Sequence, residues 1–543
     1  MSITVRGRHG RPTRRGVAVA IALVTSLVVA ACGGGGGGGG STSATGGNVL
    51  VIGMTASNIP LLDTGMAQSE GGEGQRFVGF QLYDALTKYD LRQGTSAPKL
   101  VPGLAESWEP NADLSSWTFK LRPGVTFHDG TAWNADAAVF NIERYAIKES
   151  PNFYQPLNAQ AGLSVSGIKA VSKVDDMTIR IDTKGPWSYF PYDAALIVMG
   201  SPTAIKKLGP EGFAQHPVGT GPFKFVSVTR GQRLELAANE NYWGGRPKLD
   251  KLILRPIPDT TARVAALRSG EVNWIEVPPP DDVSSLKSEG FQILTNSYDH
   301  IWPWVFNVTK KPWNDVRVRQ AANYAINRES LSKDILADTG EPANQVVPRA
   351  NPAYKAADDY YSYDPAKAKQ LLAEAGYPNG FTTTLSFPTS GSGNMVPIPM
   401  NTALQADLAK VGIKVELKPV EWGSMLTDFF AGNIPGGADA LNISLAFFQE
   451  GFWYSWFGTG STLNVGGYSN PRLDELLNQA KTTGDIDQRA GLYGEIGKIL
   501  TTDAPWLYVV NDRNPRALAA DVKGFVMPKS WYIDLTTVSV GTS

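Results

Sequence analysis

Residues 381–387, 401–411 and 413–417 read in order as a strand, a helix and a strand, and no other stretch restricts the fold of this chain as strongly. Two strands joined through a helix lie parallel in one sheet. The crossover is right-handed, because a right-twisted strand feeding a right-handed helix packs back onto its sheet only that way. At least one lobe of the protein is therefore α/β.

Residues 103–145 carry a second definite pattern. Trp117, Phe119 and Leu121 alternate with Thr118, Lys120 and Arg122, the period of a strand with one buried face. Pro123-Gly124 turns the chain, Val125 and Phe127 are expected to form a second short strand, and Asp129-Gly130 turns it again. Asn134 then caps a helix whose apolar positions Val139, Ile142 and Tyr145 keep helical spacing.

Downstream, the turn cluster 217–222 opens a hairpin with Phe223, Phe225 and Val228 on one arm and 233–236 on the other, and a helix at 261–269 closes on Gly270. A helix over 315–327 has an apolar stripe of Val316, Ala321, Ala322, Ala325 and Ile326, with its arginines expected on a solvated or ion-paired flank. Asp364-Pro365 starts another helix that ends at Gly376. Helices at 472–480 and 489–501 and an apolar run at 506–510 complete the pattern.

The N-terminus has the layout of an export signal. Arg6, Arg8, Arg11, Arg14 and Arg15 precede an uncharged apolar run, 17–31, which is shorter than the roughly 20 residues that span a bilayer. It ends in Val29-Ala30-Ala31-Cys32, a lipobox, so residues 1–31 are expected to be removed and Cys32 lipidated; ordinary secretion and twin-arginine export both remain open. Cys32 is the single cysteine, which excludes disulfides within the chain, thiolate zinc sites and cysteine catalysis. The glycine-rich stretch 32–47 is expected to act as a flexible tether. Losing the leader removes five arginines and no acid from a chain of net charge −1, leaving about −6, so nucleic acid is an unsuitable partner. The roughly 490 residues that follow the tether suffice for two or three packed units.

The wording LRPGVTFHDGT, followed by a helix ending in Glu143-Arg144-Tyr145, resembles the extracytoplasmic solute-binding proteins of ABC importers in the peptide and nickel class. The block from His216 to Asn273, with PVGTGP, NYWGG and LRSGEVN, continues the same order. The resemblance implies an α/β, two-lobed Venus-flytrap fold of the large class. A first lobe comes from 48–77, 197–300 and 508–543, a subdomain is inserted at 78–196, and the second lobe is 301–507. It also implies a monomer outside the cytoplasm, tethered through Cys32, that takes a peptide or peptide-like solute and delivers it to a permease driven by ATPase subunits. It brings no cofactor.

Nothing in the sequence assembles an active site. His9, His128, His216 and His300 lack ligand spacing, so no metal is expected. No Gly-x-Ser-x-Gly elbow occurs, and Ser166 and Ser284 head Ser-x-x-Lys tetrads without their partner motifs, which leaves an extracytoplasmic lipoprotein hydrolase as the weaker alternative.

A solute cleft needs aromatic faces and a few orienting polar groups. Two segments offer them: 298–307, with Trp302 and Trp304 two apart and Asn307 beyond, and 446–458, with Trp453, Tyr454 and Trp456 beside Gln449 and Glu450. In peptide-binding relatives an aspartate of the second segment grips the ligand's α-amino group; here Glu450 supplies a negative charge near that position, or Gln449 a neutral hydrogen bond. In dipeptide-type relatives an arginine from the loop before the 401–411 helix binds the carboxylate, and the corresponding loop 390–394 has none. Each charge-assisted hydrogen bond contributes about 1.5–3 kcal/mol, so ordinary dipeptides are disfavoured, and an oligosaccharide or an aromatic, weakly charged solute is the rival.

Overall fold

The computed structural model describes residues 47–447 and 450–541. The strand-helix-strand unit is present: Phe381–Pro388 runs parallel to Ile413–Val420 in register Phe381 with Ile413, and the helix Pro397–Ala409 makes the crossover. The helix starts earlier than its apolar spacing suggested, because Pro397 suits a first turn whose N–H groups have no helical partner.

These strands belong to one of two seven-stranded sheets. In this sheet Gly340–Pro342, Trp506–Asp512, His300–Phe306, Ala440–Asn442, Phe381–Pro388 and Ile413–Val420 lie side by side, with Leu445–Ala446 also on His300–Phe306. The other sheet runs Gln292–Leu294, Arg516–Leu518, Trp274–Glu276, Val49–Met54, Lys251–Pro256, Arg233–Ala238 and Phe223–Thr229. The chain passes between the sheets at 295–299 and at 513–515, beyond position 508, since Trp506–Asp512 stays with His300–Phe306. The fold is thus two-lobed and α/β.

A separate four-stranded antiparallel sheet is formed by Ala105–Pro110, Ser116–Leu121, Thr178–Thr183 and Ile168–Asp175, with helices Ala135–Ala146 and Gln155–Val165 sharing its core. Trp117, Phe119 and Leu121 are buried and Thr118 and Lys120 exposed, as the alternation required. The Asn134 side chain accepts from the Ala137 N–H at 3.0 Å. The expected strand at Val125 and Phe127 is instead a single bridge, Thr126 with Ala132. Gly130, at φ 81°, folds the segment back so that Phe127 N donates to Thr131 O and Trp133 N to Val125 O, which leaves no length for a ladder.

One arginine departs from its expected flank. On the helix Val316–Ala325, Arg317 pairs with Asp315 at the surface, but Arg319 is buried and donates to the carbonyls of Trp313, Asp503 and Ala504. It satisfies the C-terminal end of the helix Ile486–Asp503, where exposed carbonyls and the helix dipole both favour a cation.

The sheet that contains Phe381–Pro388 is covered on both faces, so truncating Leu385, which is fully buried in it, opens a cavity. Leu385→Ala is expected to lower unfolding free energy by about 2–5 kcal/mol in urea titration. Val174→Ala, at a position 60% exposed, is expected to stay within about 0.5 kcal/mol of wild type.

Candidate functional site

The strand His300–Phe306 is buried along its whole length. Ile301 and Val305 pack into one cluster with Trp453 and Tyr508, while Trp302, Trp304 and Phe306 pack into another with Leu385 and Leu404. Trp302 and Trp304 do share a face, but it is a core face: they are 0% and 1% exposed, and Trp304 Nε1 donates to Asn401 Oδ1 at 2.8 Å. Asn307 sits in a turn, accepting from Thr309 N–H and Oγ. Trp456 is held by its Nε1–H to the Ala446 carbonyl and stacks on Phe452. None of these four side chains lines the two cavities described next. Gln449 and Cys32 lie outside the described residues.

A cavity of about 820 Å³ opens where three parts of the protein meet. Tyr89, Trp108 and Trp117 come from the region of the four-stranded sheet; Glu450 and Trp453 from the region that packs on His300–Phe306, with Asp299 from the crossing just before that strand; Lys529 and Tyr532 from the C-terminal segment. Trp453 closes its floor, 1% exposed and stacked on Tyr493 with ring centres 5.4 Å apart. Tyr454 turns away into a neighbouring cavity of about 750 Å³, where Lys481 lies 3.7 Å over its ring. Across the same junction Ser188 donates from its N–H to Lys481 O at 2.9 Å and from its hydroxyl to Ala480 O at 2.7 Å. These bonds tie the loop after Thr178–Thr183 to the C-terminal end of the helix Pro471–Thr482.

Three buried or half-buried acids stand at this junction, besides the exposed Asp485. Glu450 is gripped in bidentate fashion by Arg489, with Nε to Oε2 at 2.7 Å and Nη2 to Oε1 at 2.9 Å. Arg489 is only 3% exposed and also donates to the carbonyls of Thr483 and Gly484. Asp193 accepts from Trp187 Nε1 at 2.9 Å; burial first, and the nearby Glu450 charge second, hold its carboxyl well above the usual range. Asp299 is half-buried. Its Oδ2 accepts from Asn351 Nδ2, its Oδ1 is enclosed without a hydrogen-bond partner, and burial pushes its pKa up to about 7.

The sequence reading missed Asp299 and Arg489, although each left a trace. Arg489 precedes Tyr493, Ile496 and Leu500 at spacings of 4, 7 and 11 along one helix face, and all four are buried. A cation on an apolar stripe implies a buried partner. Asp299 lies inside the aromatic segment singled out above, where it is the single acid between Tyr298 and Asn307. Among the described residues no group of three His, Cys, Asp or Glu side chains is arranged to hold a metal ion.

Residues 99–462 match the model for bacterial extracellular solute-binding proteins, family 5 Middle. The heme-binding protein A of Haemophilus influenzae is 32% identical over 482 residues, covering 85% of this chain and 87% of that one. The dipeptide-binding protein of Escherichia coli is 30% identical over 490 residues, 84% and 90% of the respective chains. Among solved structures, the ABC transporter-associated periplasmic binding protein DppA of Helicobacter pylori, in complex with the peptide STSA, superposes with a TM-score of 0.79 at 27% identity, covering 91% of this chain and 98% of that one.

Two outcomes follow from the wiring of the junction. Arg489→Met strands the Glu450 carboxylate and is expected to destabilise the fold by about 3 kcal/mol in urea titration; adding Glu450→Met should recover most of the loss. Asp299 holds its proton to about pH 7, against about 3.9 when unfolded, so the folded state binds the extra proton across that window. Its stabilising contribution is complete below about pH 4 and is lost as pH rises to about 7. Asp299→Asn is therefore expected to gain stability relative to wild type as pH rises through that window, and urea midpoints that differ by a constant amount would refute this.

Proposed function

The chain belongs to the bacterial extracellular solute-binding proteins of family 5, substrate-binding proteins of ABC importers rather than enzymes, and from that footing we propose that it captures a peptide or peptide-like solute in the 820 Å³ cavity. The observation that carries the reading is the meeting of three chain regions around one aromatic-walled space holding a few charged groups, the composition of a site that encloses a small solute. Closure is a population shift: contacts that exist only when the parts meet, such as those of Ser188, favour the closed arrangement once solute adds its own.

In this proposal 48–77, 197–300 and 513–543 form the first lobe, 78–196 the inserted subdomain and 301–512 the second lobe; the pairing of Trp506–Asp512 with His300–Phe306 supports the later last boundary. Glu450, Trp453 and Tyr454 are retained as site residues, joined by Asp299. Cys32, directly after Val29-Ala30-Ala31, anchors the monomer to the membrane by lipid, and a permease with its ATPase subunits receives the cargo. The full neutralisation of Glu450 by Arg489 supports a second reading, in which the same cavity takes an oligosaccharide or an aromatic, weakly charged solute.

Trp108, Trp117 and Trp453 line the cavity, so solute entry is expected to change tryptophan emission saturably when peptides of two to five residues are titrated into the purified chain. Mass spectrometry of ligand released by denaturing the protein is expected to find peptide masses. Carbohydrate masses, with no response to peptides, would replace the first reading by the second.

A further inference from the structure

We infer that Asp299 is the cation-recognising group of the cleft, its Oδ1 accepting a hydrogen bond from a protonated amino group of the bound solute while Asn351 holds Oδ2. The inference rests on the peptide-like reading above and assigns one of its contacts.

The geometry fixes the roles of the two oxygens. Asn351 Oδ1 accepts from the Ala353 N–H at 2.8 Å, so the amide end facing Asp299 is the NH₂, a donor. Oδ2 is therefore an acceptor in either protonation state, and the carboxyl proton of the empty cleft sits on Oδ1. That oxygen is enclosed and has no partner, an arrangement that costs free energy until something polar meets it.

Six of the surrounding charges are engaged with one another. Glu450 and Arg489 satisfy each other. Arg349, on the loop that carries Asn351, is 3.6 Å from Asp359. Glu341 accepts from Ser297 Oγ at 2.5 Å and lies 3.5 Å from Arg513. Lys99, Asp485 and Lys529 line the same cavity but form no ion pair with Asp299. Among the described residues Asp299 has no cationic partner, so an incoming ammonium is the partner the site lacks. Its arrival ionises Asp299, the proton leaving Oδ1 for solvent, while the ammonium keeps its own three protons. Because the empty site holds its proton to about pH 7, binding of a cation is coupled to proton release around neutrality.

The test uses the tripeptide Gly-Phe-Leu and its N-acetyl form, titrated calorimetrically into the wild-type chain and Asp299→Asn at pH 6 and pH 8. The wild type is expected to prefer the free amine about tenfold or more at pH 8, as one charge-assisted hydrogen bond allows, and to lose about tenfold of its affinity for it at pH 6. Asp299→Asn is expected to lose both the preference and the pH dependence, and Asp299→Glu, which restores a carboxylate, to recover part of each. A variant Asp299→Asn that keeps both overturns the assignment. If the wild type binds neither peptide form, the peptide reading fails and benzylamine against benzyl alcohol decides the matter in thermal shift. Greater stabilisation by the amine in wild type but not in Asp299→Asn upholds Asp299, and equal responses in the two proteins overturn it.

Discussion

The relation between the two large sheets rests on a small buried network where the chain crosses from one to the other. The crossings at 295–299 and 513–515 are short, and their ends are locked together: Tyr298 Oη donates to Asp512 Oδ2 at 2.8 Å, Asn514 N–H to Asp512 Oδ1 at 2.7 Å, and Asp512 N–H to His300 Nδ1 at 3.3 Å. Because His300 Nδ1 accepts, its proton sits on Nε2, which reaches Ser444 Oγ at 2.8 Å; burial pushes the ring's pKa down to about 3 and keeps it neutral. Trp531 meets both Tyr298 and His300 edge-on and donates to Ser392 Oγ, so the C-terminal segment is bound into the same junction. Tyr298 and His300 both turn toward Trp531, with ring centres 5.1 Å apart. Asp299, between them, is left to face the cavity. The recognition group is thus placed by the joint that sets the lobes.

Periodicity told more about this protein than side-chain type did. The alternation at Ser116–Leu121, the cap at Asn134 and the parallel pair Phe381–Pro388 with Ile413–Val420 could be read from the chain because each is decided by neighbours within a few residues. Trp302 and Trp304 show where that reading stops. Spacing puts them on one face, but which space the face looks into depends on helices far along the sequence. A signal was available: His300–Phe306 is almost wholly apolar instead of alternating, the mark of a strand covered on both sides. Its aromatics are core for the same reason that Val509 and Val510 are.

The polar half of the site was hidden for a different reason. Glu450 and Arg489 are 39 residues apart, Asp299 and Asn351 are 52, and Ser188 reaches Ala480 across 292. No local rule links such positions, and a buried ion pair shows in sequence only as a charge where an apolar residue belongs. Arg319 and Arg489 both fit that description, each on an apolar helix stripe and each bound to backbone carbonyls. Burial of a guanidinium is tolerable because its fixed fork meets several acceptors at once, which lysine's single ammonium does less well.

The three buried or half-buried acids at the junction differ in how their charge is quenched, and that difference decides what each can do. Glu450 is ionised and satisfied by a guanidinium; exchanging Arg489 for a ligand cation would mean breaking two charge-assisted hydrogen bonds to make one or two, with no net gain. Burial, with Glu450 beside it, raises the Asp193 carboxyl well above the usual range, and one of its oxygens is occupied by the Trp187 indole. A cation there would have the Glu450–Arg489 pair as its neighbour. Asp299 is the remaining case: protonated through burial, held by one amide, with its other oxygen unmet. Below about pH 7 removing its proton is unfavourable while the cleft holds no cation and becomes favourable once one arrives. A pocket arranged in this way carries little net charge when empty and develops a negative centre in response to the right solute.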